Sequence, residues 1–179
     1  FVKGDRTGAE AILRGAQKRF PQDDSLLDAL AQIYLLGAKF KEALAAIDAH
    51  LKLTPDSVHA LLNKGAVTIQ LKDYAGALPP LNRALELQPG NTPAMMNRAI
   101  ARLQSGDLDG AREDYAALRA VMPNQFAIHY GLGEVAYRKK ETNAALEHYR
   151  AYLKLASTNS DETITVRKRV EELQGKAGQ

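Results

Sequence analysis

The stretch LNRALELQPGN, residues 81–91, has the pattern of an amphipathic helix that ends at a Pro-Gly-Asn turn. A similar pattern occurs earlier as IDAHLKLTPDS, residues 47–57, and again later, at the same spacing, as YAALRAVMPNQ, residues 115–125. One further step each way gives LRGAQKRFPQD, residues 13–23, and YRAYLKLASTN, residues 149–159. A fixed period of this length predicts a chain built from repeated structural units.

Each period is predicted to hold two helices separated by a short break. In the first complete unit these helices cover residues 26–36 and 41–53. A proline, which cannot donate an intrahelical hydrogen bond, ends the second helix. It recurs as Pro21, Pro55, Pro89 and Pro123, with Ser157 in the last copy. We therefore divide residues 1–179, as one domain, into a partial repeat (1–23), four full repeats (24–57, 58–91, 92–125 and 126–159) and a C-terminal helix (160–175).

The composition excludes several classes of protein. The 24 basic and 21 acidic residues leave a net charge of +3, which is too small and too dispersed to indicate nucleic-acid binding. The absence of cysteine excludes disulfides and zinc–thiolate sites. No apolar run of about 18 residues predicts a membrane span. The chain opens at Phe1 without a visible signal peptide, so we expect a piece of a longer protein.

Small and large side chains recur at fixed places in the period. The middle of each first helix carries a small residue, and the start of each second helix carries alanine. A large apolar residue follows that alanine by four positions. Such a pattern predicts two antiparallel helices in close contact. The three sets are Ala31, Gly65, Ala99 and Gly133; Ala9, Ala43, Ala77, Ala111 and Ala145; and Leu13, Ile47, Leu81, Tyr115 and Tyr149.

These residues resemble the tetratricopeptide repeat, a 34-residue helix–turn–helix unit with the same small-residue, alanine, large-residue and proline pattern. The resemblance covers about residues 4–159 and implies an all-α fold, an α-solenoid that winds as a right-handed superhelix. The chain departs from the family pattern at its tryptophan position, and the tyrosine that follows survives only as Tyr34. The tryptophan position holds Leu27, Leu61, Met95 and His129.

The two ends of the chain differ from the repeats. Asn159 and Glu162 have the spacing of a capping box, which would open a helix running to about residue 174. Val166, Val170 and Leu173 form one apolar stripe, and Arg167 stands where the repeats have glycine or alanine. We predict a capping helix that ends the stack. Any self-association is then expected through the N-terminal end.

Residues suited to catalysis are scarce. His50, His59, His129 and His148 lie at unrelated positions of the period, and His50 and His129 are expected to be buried and hydrogen-bonded. No metal-binding spacing, phosphate-binding loop or nucleophile motif is present. We therefore predict a protein that is not an enzyme and that needs no cofactor.

The first helices carry a second apolar stripe beside the one expected to face the core. In the second repeat the core stripe is Leu61, Gly65 and Thr68, and the second stripe is Leu62, Ala66 and Ile69. A helix that buries only one face needs only one apolar stripe. The resemblance implies that first helices line the concave side, so the second stripe would line a peptide-binding groove; alternatively it only fills the core. Its members in the next repeats are Met96, Ile100 and Leu103, then Tyr130, Glu134 and Tyr137, and in the first repeat Asp28, Gln32 and Leu35.

Asn63 and Asn97 lie beside this stripe, at the same position of consecutive repeats. An asparagine amide both donates and accepts hydrogen bonds, which suits the backbone of an extended peptide. Alternatively, these asparagines have no binding role, because the family consensus tolerates asparagine at this position. The family's carboxylate clamp is excluded, since the positions of its basic residues hold Asp28, Leu62 or Pro93.

The sequence thus predicts a protein–protein interaction scaffold or adaptor that binds a protein or peptide in an apolar groove. One alternative is the regulatory or substrate-recruiting arm of a larger enzyme or assembly machinery. The other is an RNA-binding helical repeat, which the apolar Leu62, Met96 and Ile100 disfavour.

Overall fold

The structure, a computed structural model, describes residues 6–156 and 160–177. These residues form ten α-helices and no β-strand, which confirms the all-α prediction. The first helices of the four repeats begin at equal intervals along the chain, at Asp24, Val58, Thr92 and Phe126. The helices are α1 (Arg6–Arg19), α2 (Asp24–Leu36), α3 (Phe40–Leu53), α4 (Val58–Gln70), α5 (Tyr74–Leu87), α6 (Thr92–Ser105), α7 (Leu108–Val121), α8 (Phe126–Arg138), α9 (Thr142–Leu155) and α10 (Asp161–Ala177).

The chain divides into two compact units, Phe1–Asn97 and Arg98–Gln179, and the division falls within α6. In the first unit, each helix from α1 to α4 packs against the next helix along the chain. In the second unit, α7 packs on α8, α8 on α9 and α9 on α10. The assignment of residues 1–179 to one domain stays a prediction.

The contact between the two helices of a repeat is made where one of them lacks a side chain. A Cβ atom added to Gly65 on α4 would lie 2.5 Å from Leu81 Cγ on α5. A Cβ atom added to Gly133 on α8 would lie 2.5 Å from Tyr149 Cδ1 on α9. The recurring alanines on the second helices of the four full repeats are completely buried. The predicted pairing of small and large residues is therefore confirmed in these two repeats.

The turn inside each repeat contains one residue with a positive φ angle. Positive φ angles occur at Ala38 (52°), Lys72 (62°), Gly106 (93°) and Lys140 (60°), which occupy the same position of successive repeats. In three of these turns the next residue's N–H reaches back to the first helix: Lys39 to Tyr34, Asp73 to Thr68 and Glu141 to Ala136, at 2.8–3.0 Å. This is the hydrogen bond of a Schellman-type helix end. The first, second and fourth repeats therefore share this turn geometry.

The C-terminal helix begins one residue later than its predicted cap implies. The side-chain oxygen of Ser160, which immediately precedes α10, accepts a hydrogen bond from the Thr163 N–H at 3.2 Å. The predicted cap residue, Asn159, lies outside the described residues. Helix α10 extends to Ala177, past the predicted end. Val166 and Leu173 are buried among side chains of α8 and α9, with Val170 partly buried beside them, as expected for a capping helix.

We expect Gly65→Ala to lower the free energy of unfolding by about 1–3 kcal/mol, because the new methyl group overlaps Leu81. Thermal unfolding followed by circular dichroism measures this change. The matched control is Gly15→Ala on α1, where an added Cβ meets nothing within 4 Å. That control should gain about 0.5–1 kcal/mol from helix propensity. Equal behaviour of the two variants would contradict the packing account.

Candidate functional site

In the first unit, the second stripe of α4 is not absorbed by the core. Leu61, Gly65 and Thr68 are buried, whereas Leu62, Ala66 and Ile69 keep part of their surface. Asn63 is also partly exposed, as are Met96 and Asn97 on α6. The two stripes that the sequence distinguishes therefore differ in burial. A partly exposed apolar stripe on a first helix is a surface that a partner can cover.

A chain of polar side chains joins α2 to α4 beside this stripe. The Nδ1 atom of His59 lies 3.0 Å from the Asp28 carboxylate, and its Nε2 atom lies 3.2 Å from the Asn63 amide nitrogen. On α2, the Gln32 amide donates to the other Asp28 oxygen at 3.2 Å. Asp28 and Gln32 stand on the second stripe in the sequence, but His59 was not assigned to it. His59 lies three residues before Leu62 on the same helix, and this spacing in the sequence indicates that the two side chains are neighbours.

In the second unit, the predicted stripe residues have unequal exposure. Ile100, Tyr130 and Tyr137 are partly buried, but Leu103 and Glu134 are 2 % and 5 % exposed. The prediction that Leu103 and Glu134 line a groove is therefore wrong for this structure. At Leu103 the end of α6 is covered by Arg138, whose guanidinium donates to the Leu103 carbonyl at 2.7 Å.

Glu134 is buried because the capping helix supplies its counterion. Arg169 of α10 forms an ion pair with Glu134 and also donates to the Tyr149 hydroxyl at 3.0 Å. The guanidinium carbon lies 4.7 Å from the centre of the Tyr137 ring. Burial raises the pKa of Tyr149, so its hydroxyl stays protonated and donates to Glu134 at 2.7 Å. This part of the second stripe holds a structural network.

A second buried ion network lies between α6 and α7. Asp114 is 4 % exposed and accepts two hydrogen bonds from Arg98, at 2.9 and 2.7 Å. Arg102 donates to the same carboxylate at 2.9 Å. From the sequence alone, Asp114, which follows Glu113, is interpreted as part of a solvated helix face. Only the period of the repeat indicates that this charged group is covered. Arg102, which contacts Asp114, occupies the position that the buried Tyr34 occupies in the first repeat.

The four histidines lie on four different helices, α3, α4, α8 and α9. His50 is buried, but its Nδ1 has no hydrogen-bond partner, unlike the prediction. His129 is only partly buried; its Nε2 lies 2.8 Å from the Pro123 carbonyl, and its Nδ1 has no partner. Burial lowers the pKa of His148, which favours its neutral form. Residues 6–156 and 160–177 contain no group of three or more potential metal-binding side chains. In the same residues, no helix combines the length and apolar character needed to cross a bilayer.

Family models settle the class of the chain. One model, described as tetratricopeptide repeat, matches residues 1–57, 29–92 and 96–160, and a second of the same description matches residues 68–120. The chain belongs to the tetratricopeptide repeat family. Such repeats stack into extended surfaces that bind other proteins, so this is a protein-interaction module with protein or peptide partners. No curated protein matches the chain in sequence.

Several solved structures resemble the chain over most of its length. YrrB, described as having an unusual peptide-binding site, gives a TM-score of 0.82 at 21% identity, covering 92% of this chain and 84% of that one. MamA from Desulfovibrio magneticus RS-1 gives a TM-score of 0.81 at 24% identity, covering 88% of this chain and 90% of that one. PilW, described as a widely conserved type IV pilus biogenesis factor, gives a TM-score of 0.80 at 18% identity. The match covers 97% of this chain and 80% of that one. At these identities the likeness shows the fold alone.

We expect Arg169→Met to lower the free energy of unfolding by about 3–5 kcal/mol, because it leaves the Glu134 carboxylate buried without a counterion. Adding Glu134→Gln should restore part of the loss. Urea unfolding of the full chain measures both variants. Lys168→Met is the matched control, since Lys168 is an exposed cation on the same helix and should have little effect. If the two single variants were equally stable, the network would not hold α10 in place.

Proposed function

We propose that the chain is a scaffold or adaptor that binds an extended or helical protein segment on the first helices of its tetratricopeptide repeats. The observation that carries the proposal is the unequal burial of two neighbouring apolar stripes on α4. Leu62, Ala66 and Ile69 lie one position beyond the buried stripe yet remain partly exposed. A fold that needed them only for its core would have buried them fully. Recognition of this kind uses side-chain pockets and backbone contacts and involves no chemical step.

The surface is proposed separately in each unit. In the first unit it comprises Leu62, Asn63, Ala66, Ile69, Met96 and Asn97. In the second it comprises Ile100, Tyr130 and Tyr137, without the buried Leu103 and Glu134. Support by analogy comes from YrrB, whose description includes a peptide-binding site. We infer that the module acts by binding alone and uses no cofactor.

The affinity of such a surface follows from its apolar area. Burying one side chain of the size of Leu62 or Met96 against a partner contributes roughly 1.5–3 kcal/mol. Three such contacts, less the cost of ordering a flexible segment, correspond to binding in the micromolar range, at about −8 kcal/mol.

Self-association through the N-terminal end is a second proposal, and it has a separate observation in its favour. Helix α1 has no buried residue, and Ile12 on it is 73% exposed. A helix with no buried residue leaves surface that a second copy of the chain can cover. Either role is compatible with an adaptor, or with the recruiting arm of a larger enzyme or assembly machinery.

The double variant Leu62→Glu with Met96→Glu should lose binding by at least about 100-fold, because it places two charges on the apolar surface. The measurement is capture of partners from a native lysate, followed by titration of a captured partner. The fold should survive, since both positions are partly exposed. Leu53→Glu, at an exposed apolar residue on α3, is the control that should keep binding.

Two results would contradict this proposal. One is undiminished binding by the double variant. The other is a collapse of its circular dichroism melt like that expected for Leu61→Glu, whose site is buried. A collapse would show that Leu62 and Met96 belong to the core.

A further inference from the structure

We propose that the surface formed by α2 and α4 selects partner segments that carry an arginine or lysine next to an apolar residue. This inference rests on the proposed function and specifies the chemistry of its ligand. It is carried by the chain of side chains Gln32–Asp28–His59–Asn63, which we call the Asp28 cluster. The cluster lies within the first unit, and on α4 its His59 and Asn63 stand three residues before the partly exposed Leu62 and Ala66, a spacing that makes them neighbours on the helix surface.

The hydrogen bonds of the Asp28 cluster run in one direction. A carboxylate cannot donate, so the His59 Nδ1–H must donate to Asp28 Oδ1 across their 3.0 Å separation. The Nε2 atom of the same ring lies 3.2 Å from the Asn63 amide nitrogen, which can only donate. Gln32 donates to Asp28 Oδ2 from one turn along α2. Two hydrogen bonds, from Gln32 and His59, therefore fix the position of one carboxylate, and Asn63 in turn contacts His59.

The charge of this carboxylate is accessible to a partner. The Asp28 side chain is 28% exposed and that of His59 is 54% exposed. Gln32 and His59 each donate one hydrogen bond to the carboxylate, and the Gln32 amide carries no charge that would cancel that of Asp28. A carboxylate has about four lone-pair sites, and these two bonds use two of them. The remaining sites suit the paired N–H groups of a guanidinium, or an ammonium group.

Lysines close to the cluster along the chain are engaged elsewhere. Lys64, the residue after Asn63, pairs with Asp48 on α3 at 2.7 Å. Lys39, at the end of the turn after α2, pairs with Glu10 on α1 at 2.7 Å. Leu62 and Ala66 offer an apolar surface on which the methylene stem of a bound arginine or lysine can lie. The cluster and its surroundings therefore complement a basic, amphipathic side chain.

The second unit shows the same recognition within the chain. There Arg169 of α10 pairs with Glu134, a carboxylate on a first helix, and its guanidinium lies against Tyr137. A first-helix carboxylate beside an apolar or aromatic side chain thus already holds a cation in this protein. An acidic peptide or a nucleic-acid backbone would instead meet like charge at Asp28.

A phage-displayed library of random dodecapeptides tests the inference on the full chain. We expect selected sequences to be enriched in arginine or lysine beside apolar residues. Selected peptides should bind Asp28→Asn about tenfold more weakly, because a charge-assisted hydrogen bond is lost. Asparagine keeps an acceptor for His59, so the fold should be retained, which a circular dichroism melt verifies. Glu42→Gln, which removes an exposed charge on α3, is the control that should bind normally.

The outcomes separate this inference from the proposed function. Selected peptides without basic residues, or unchanged binding by Asp28→Asn, would overturn the inference. If such peptides still failed to bind Leu62→Glu with Met96→Glu, the proposed function would stand. Peptides insensitive to all of these substitutions, or no enrichment at all, would overturn both.

Discussion

The missing side chain at Gly65 sets the distance between α4 and α5, and the rest of the second repeat follows from that distance. Leu81 occupies the space that a Cβ atom at Gly65 would need. Gly133 and Tyr149 make the same contact between α8 and α9. A close helix pair fixes which stripe of the first helix faces its partner. The neighbouring stripe is thereby left on another face, where it is free to acquire a different role in each repeat.

Periodicity explains how much of the fold could be predicted. The helices of the repeats and their small and large contacts depend on residues that recur once in every period. Each predicted helix or contact is therefore supported by the same residue pattern in several repeats. The turn residues Ala38, Lys72 and Lys140 show the limit of composition, because they adopt positive φ angles without being glycine. They share their position in the period with Gly106, and glycine adopts a positive φ angle without steric strain. This shared position indicates the positive φ angle of the other three residues.

The parts of the candidate site that were mispredicted depend on pairs that do not recur. Glu134 has the spacing of an exposed stripe residue, yet Arg169, far along the chain, buries it. Asp114 looks like a solvated acid until Arg98 and Arg102 are seen to surround it. The contact between His59 and Asp28 is another such pair. Each of these contacts joins residues from different helices, so no local pattern in the sequence announces it.

The repeats consequently share the way in which their two helices pack but differ in the side chains on their surfaces. In the first unit the second stripe is apolar on α4 and carries a fixed carboxylate on α2, whereas in the second unit part of it is occupied by α10. The most direct test is the methyl NMR spectrum of the full chain, recorded with and without a peptide selected from the random library. We expect the methyl signals of Leu62, Ile69 and Met96 to shift, while those of the exposed Leu53, Val121 and Ile164 stay in place. Shifts confined to Leu53, Val121 or Ile164 would contradict the account, because the partner would then bind away from the first helices of the first unit.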